Sequence, residues 1–236
     1  GILESRFQRT DFHARLKVEE RHDVIARHGR LEVANAVLLF DVDEFLTHDT
    51  EIFEKILLSL SGFYEAPSSA SYHLNEKGGL CKHSLNVFHT ALKLRKHILE
   101  ESIASGESPF TEVPSEESVA ISALFHDICK VKLYHQTEKW KKDGNGRWMS
   151  YPGYELKDDF PLGHGEKSCL MLSWYIRMKP EEMLAIRWHM GMFDMGENGS
   201  SMRYAFRAAS EKTPLVMLLH AADFLSANLM EKTTTY

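Results

Sequence analysis

The segment LFHDICK at 124–130 sets His126 beside Asp127 in an otherwise apolar stretch. An imidazole and a carboxylate buried without partners are costly, so either neighbouring core groups satisfy them or a cation does. Lys130 stands three residues from Asp127, on the adjoining surface of a helix. Four more positions offer the same chemistry: His83 in KHSLNVFHTAL, His164 in FPLGHGEKS, His189 in LAIRWHMG and Asp223 in LVMLLHAADFL. Singly, each reads as a satisfied core group as well as a ligand, and His164, between Gly163 and Gly165, as a loop residue. Histidine is abundant, 13 against 3 cysteines. Imidazoles with carboxylates suit Mn, Fe, Co, Ni or Zn; Mg prefers an all-oxygen set but is not barred.

The order His83, His126-Asp127, His164, His189, Asp223 resembles that of the HD-domain metal-dependent phosphohydrolase superfamily. FYEAPSSASYHLNEKGGLCKHSLNV, LFHDICKV, FPLGHGEKS and LAIRWHMG are similar to a bacterial and phage branch akin to the HD domain of 3′–5′ exoribonucleases. The likeness covers roughly residues 62–230. It implies His83, His126, Asp127 and Asp223 as ligands of one divalent cation. His164 and His189 would hold a second, with Asp127 bridging; a single-cation site built from the first four is the alternative. A carboxylate can span two cations about 3.5–4 Å apart, and such a pair acidifies a shared water for attack on phosphorus. Asp127 and Lys130 are thus the implied catalytic residues, Lys130 countering charge on phosphate oxygens unless it is merely paired to a carboxylate. Ile128-Cys129 stands where the family more often has an apolar residue and then Gly, a change expected to touch packing rather than ligation.

Tyr72 and His73 precede the Gly78–Gly79 pair and are candidates for a pocket rim, while Lys167 and Arg187 flank proposed ligands and could meet phosphate. Trp140 and Trp148, with Lys141, Lys142 and Arg147, could form a lid that stacks a base and attracts an anion, or simply pack across strands. His220 is expected in the core or beside a ligand. His13, His22, His28, His48, His89, His97 and His135 are expected at the surface. LLFDVDEFLT at 38–47 imitates the Asp-x-Asp segment of haloacid-dehalogenase-like phosphatases but lacks the following Gly and an alternating strand–helix pattern. GHGEKS lacks the spacing of a phosphate loop.

The elements that must position these residues read mostly as helix. Helical spacing is expected over 50–60, from Leu80 to about Glu101, over VAISALFHDICKV with Ser115 as its cap, over 165–178, over 180–190 behind Pro180, and over 214–230 behind Pro214. The polar segment 102–115 reads as a loop. TEKWKK–DGNG–RWMSY, at about 134–152, carries the pattern of a β-hairpin. The expected architecture is therefore mostly α: an HD-type helical domain at 62–236 with one hairpin insertion, preceded by an N-terminal helical extension at 1–61.

The chain's 236 residues carry 28 Lys+Arg against 34 Asp+Glu, a net charge of −6. The composition, 43 % hydrophobic and 26 % charged, excludes collagen, a disulfide scaffold and a wholly disordered chain, and the acidic balance argues against sequence-independent binding of duplex nucleic acid. No stretch approaches the apolar length of a membrane span, and the charged opening segment has no apolar core of a leader. Three scattered cysteines point to a reducing, cytoplasmic setting. The expected function is hydrolysis of a phosphomonoester or phosphodiester, in a nucleotide or at a single-stranded nucleic-acid end. The alternative is a non-catalytic nucleotide-binding sensor or scaffold that keeps the metal site.

Overall fold

The structure, a computed structural model, describes residues 62–194 and 199–233. The helix expected at 50–60, the extension at 1–61, the 38–47 segment and His13, His22, His28 and His48 lie outside the described residues. The rest is mostly helical with one antiparallel hairpin.

Helix α1 (Gly79–Leu94) runs through a π-helical turn, Arg95–Glu100, into the short α2 (Glu101–Ser105). The helix is thus four residues longer than its apolar spacing suggested, and the loop begins only at Gly106, in the left-handed region at φ 76°. The glycine pair at its start has two separate causes. Gly78 caps the helix at φ 79°, and a Cβ on Gly79 would stand 2.0 Å from the Leu74 carbonyl oxygen.

Helix α3 (Glu116–Phe125) is the central element, buried from Ser118 through Phe125 and packed against helices on several sides. Ser115 caps it, its Oγ accepting from the Ser118 N–H at 3.1 Å. The helix stops sooner than the expected VAISALFHDICKV, at Phe125, and a 3₁₀ turn over Ile128–Lys132 follows. Its end has a local cause: His126 Nδ1 donates to the Ala123 carbonyl at 2.8 Å, occupying an acceptor that the terminating helix leaves open.

Strands β1 (Tyr134–Lys142) and β2 (Trp148–Leu156) pair antiparallel, with Tyr134 opposite Leu156 and Lys142 opposite Trp148. The hairpin reaches Leu156, beyond the expected 152. Helix α4 (His164–Ser173) ends before the expected 178, and α5 (Pro180–Trp188) begins with its proline as anticipated. The Lys179 N–H donates to Glu182 Oε2 at 2.7 Å, and the other oxygen of that buried carboxylate accepts from Ser118 Oγ at 2.8 Å, which ties α5 to α3.

Helix α6 (Ser200–Lys212) was not foreseen: its apolar stripe is only Met202, Phe206 and Ala209, which packs on Trp188 and Val216, and Ala209 alone along it is buried. Helix α7 (Pro214–Leu225) passes into a π-helical segment, Ser226–Met230, matching the expected 214–230. The main core joins α1, α3, α4, α5 and α7 through Leu80, Phe88, Leu124, Leu172, Ile186 and Leu219. Among the described residues no single helix is long and apolar enough to cross a membrane; α6 and the α7–π segment pass that test only together, bent by 108°.

Candidate metal centre

Five helix ends or faces meet around Asp127. His83 comes from the middle of α1, His126 and Asp127 from the break after α3, His164 from the first residue of α4, His189 from the residue after α5, and Asp223 from near the end of α7. His83, His126, Asp127 and His189 are almost wholly buried. The close approach of α4 to α5 needs Gly165, where a Cβ would lie 2.4 Å from the Arg187 carbonyl oxygen. Neither Gly163 nor Gly165 has positive φ, so Gly165 serves contact rather than backbone freedom.

The two oxygens of Asp127 face different partners. Oδ1 lies 2.5 Å from His164 Nε2 and 3.5 Å from His189 Nε2. Oδ2 lies 3.6 Å from His83 Nε2, 3.5 Å from His126 Nε2 and 2.5 Å from Lys130 Nζ. Asp223 Oδ1 closes the second side, 3.1 Å from His83 Nε2 and 3.9 Å from His126 Nε2.

The rings are held from behind. His126 and His189 donate from Nδ1 to the carbonyls of Ala123 and Ile186, three residues back, at 2.8 and 2.7 Å. His83 Nδ1 donates to the Glu231 carboxylate at 3.0 Å, and Asn86 Nδ2 donates to the same group at 2.9 Å. His164 Nδ1 meets Cys129 Sγ at 3.0 Å. With the protons on Nδ1, the Nε2 lone pairs point inward, the arrangement that metal-binding imidazoles adopt.

Two features fit this set to a cation rather than to a closed polar core. His189 Nε2 is buried without a hydrogen-bond partner. His83 Nε2 and His126 Nε2 face each other at 3.2 Å, which sets two acceptors together unless one ring is protonated. Burial opposes a charge on His83, but the bonds to Asp223 and Glu231 outweigh it and raise its pKa to about 9. In the cation-free chain a proton on His83 therefore supplies the positive charge the carboxylates require. Burial drives His126 the other way, to about 3, so it stays neutral. Burial alone would raise Asp127 and Asp223; Lys130 and the histidines hold the first, and mainly His83 the second, well below the usual carboxylate range. Four overlapping groups of metal-competent side chains result, three of which use only the six residues above.

The remaining candidates fall in different places. Lys130 is nearly buried and tied to Asp127. His73 packs beside His83, ring centroids 5.0 Å apart, and its Nε2 lies 3.9 Å from Glu231. Tyr72 is 75 % exposed. Lys167 is buried and paired to Asp158, while Arg187 pairs with Glu166 at 2.5 Å and lies over the Trp188 ring. Neither cation is brought to the cluster by these contacts. His220 donates from Nδ1 to the His189 carbonyl at 2.6 Å, beside a ligand candidate as expected. His97 and His135 are exposed, but His89 is half-buried.

Two residues were missed. Cys129, expected to matter only for packing, touches His164. Glu231 sits in a polar C-terminal segment with no apolar run to mark it, 148 residues from the histidine it holds. A family model described as HD domain matches residues 80–228. No curated protein and no solved structure matches the chain.

Proposed function

The chain belongs to the HD-domain family, generally metal-dependent hydrolases, and from this we propose a phosphohydrolase acting on a nucleotide or a single-stranded nucleic-acid end. The observation that carries the reading is Asp127, whose oxygens turn to separate sets of imidazoles. One cation would take His83, His126, Asp127 and Asp223; a second would take His164, His189 and the other Asp127 oxygen. The donor set favours Mn, Fe, Co, Ni or Zn over Mg. Such cations supply Lewis acidity and an acidified water to a phosphate ester.

The chain's own groups orient and neutralise. The Ala123, Ile186 and Glu231 acceptors fix three rings so that their lone pairs need no reorganisation. Lys130, held protonated beside Asp127 despite its burial, is a mobile point charge able to turn toward a phosphate oxygen. His73 and Tyr72 would line the rim; Lys167 and Arg187 would act only after leaving their carboxylates. The free thiols Cys81, Cys129 and Cys169 accord with a reducing cytoplasmic setting.

Purified protein with Mn²⁺ should cleave bis(p-nitrophenyl) phosphate or a nucleotide, and Asp127→Ala should lower kcat at least about 10³-fold while the helical spectrum is kept. Undiminished turnover in that variant removes the mechanism. Nucleotide retained without product over several metals makes the chain a binding module instead.

A further inference from the structure

The hairpin is built unlike the rest of the described chain. Among the residues of β1 and β2 only Gly153 is buried, and no third strand among the described residues joins them. A lone two-stranded ribbon is marginal by itself, so its exposed aromatic surface calls for a role.

Its tip, from Lys139 to Met149, holds Lys139, Lys141, Lys142 and Arg147 against the single carboxylate of Asp143, a formal charge of +3 on a chain of net charge −6. That carboxylate is turned into the loop, accepting from the Asn145 and Arg147 N–H groups at 2.8 Å. The register places Trp140 opposite Ser150 and Lys142 opposite Trp148, so Trp140, Lys142 and Trp148 share one face. The two indoles are diagonal neighbours, 58 % and 64 % exposed, with Lys142 Nζ over the Trp148 ring at 5.4 Å. The opposite face repeats the pairing, Lys141 Nζ lying 5.6 Å from the Tyr151 ring centre.

The base of this arm adjoins the metal centre, since β1 starts directly after the turn that carries Lys130. Trp140 lies six residues farther along, about 20 Å for an extended strand. Exposed rings alternating with cations are what an unpaired strand needs: a surface for each base and a charge for each phosphate. A base-paired duplex hides its base faces from such rings.

We infer that the hairpin is a docking arm for extended single-stranded nucleic acid, which reaches the metal centre by its end. This rests on the phosphohydrolase reading and narrows it from nucleotides to oligonucleotides, because a mononucleotide at the metals cannot reach the tip.

The test is fluorescence anisotropy of the full-length, metal-loaded protein with phosphorothioate-linked dT oligomers of two and twelve nucleotides, and a 2′-O-methyl-uridine series to separate DNA from RNA. The twelve-mer should bind at least about tenfold more tightly than the dimer, and less tightly as salt rises. Trp140→Ala with Trp148→Ala, and separately Lys141→Glu with Lys142→Glu, should remove that advantage. Both should leave metal content and cleavage of bis(p-nitrophenyl) phosphate as in the wild type. Equal binding of dimer and twelve-mer overturns the proposal, as do tip variants that bind like the wild type, or a tip buried between two copies in solution. Absence of small-ester cleavage with length-dependent binding retained sinks the hydrolase reading and not the arm.

Discussion

At the residue scale the centre depends on what stands behind each imidazole. Glu231 fixes the His83 ring and adds negative charge, so Glu231→Ala should weaken divalent-cation affinity by about 10–100-fold. Glu231→Gln, which keeps an acceptor but no charge, should recover part of that loss; calorimetric titration reads both. The pH dependence follows from His83. Its pKa, raised to about 9 from 6.5, means a proton occupies the ring in the cation-free folded chain across that window. The stabilisation this proton gives the cation-free fold is complete below pH 6.5 and is lost as pH rises through 9. A cation must expel the proton, so cation uptake should release protons and tighten between pH 6.5 and 9, then level off. Proton release is read by calorimetry in buffers of different ionisation enthalpy; uptake independent of pH in this window would mean His83 is not displaced. His126, Asp127 and Asp223 stand out in the sequence as polar groups in apolar runs, whereas His164, in GHGEKS, is singled out only by the family's residue order. Glu231 and Cys129 were not legible, because their significance comes from a partner far along the chain.

At the element scale, capping and proline signals located α3, α5 and α7 because each has a local physical cause. The end of α3 was misplaced, since apolar periodicity runs on through Ile128 and Val131 while the chain bends at Asp127. That bend is what lets one carboxylate face two sides. Helix α6 escaped notice for the opposite reason, its apolar stripe being only Met202, Phe206 and Ala209. The contact between α4 and α5 was also hidden, although Gly165 was visible. Gly165→Ala should force the two backbones apart, lower stability by about 1–3 kcal/mol in thermal unfolding, and reduce bound metal by shifting His164 relative to His189. An alanine variant as stable and as well metallated as the wild type would show that the approach is not required.

At the scale of the whole molecule, among the described residues α1, α3, α4, α5 and α7 share one main core and each contributes to its polar centre, so fold and centre should be coupled. The mostly helical architecture and the hairpin were readable because period and turn chemistry are local. The enclosure of six donors was readable only through the family's residue order, since spacing alone left each donor with a core role. The most direct test of the central claim is anomalous scattering at the metal's absorption edge from crystals of natively purified protein. The account predicts two peaks about 3.5–4 Å apart, one on each side of Asp127, with His83, His126 and Asp223 around one and His164 and His189 around the other. Crystals with no peak among these residues after soaking in Mn²⁺, or peaks held by other side chains, would contradict it.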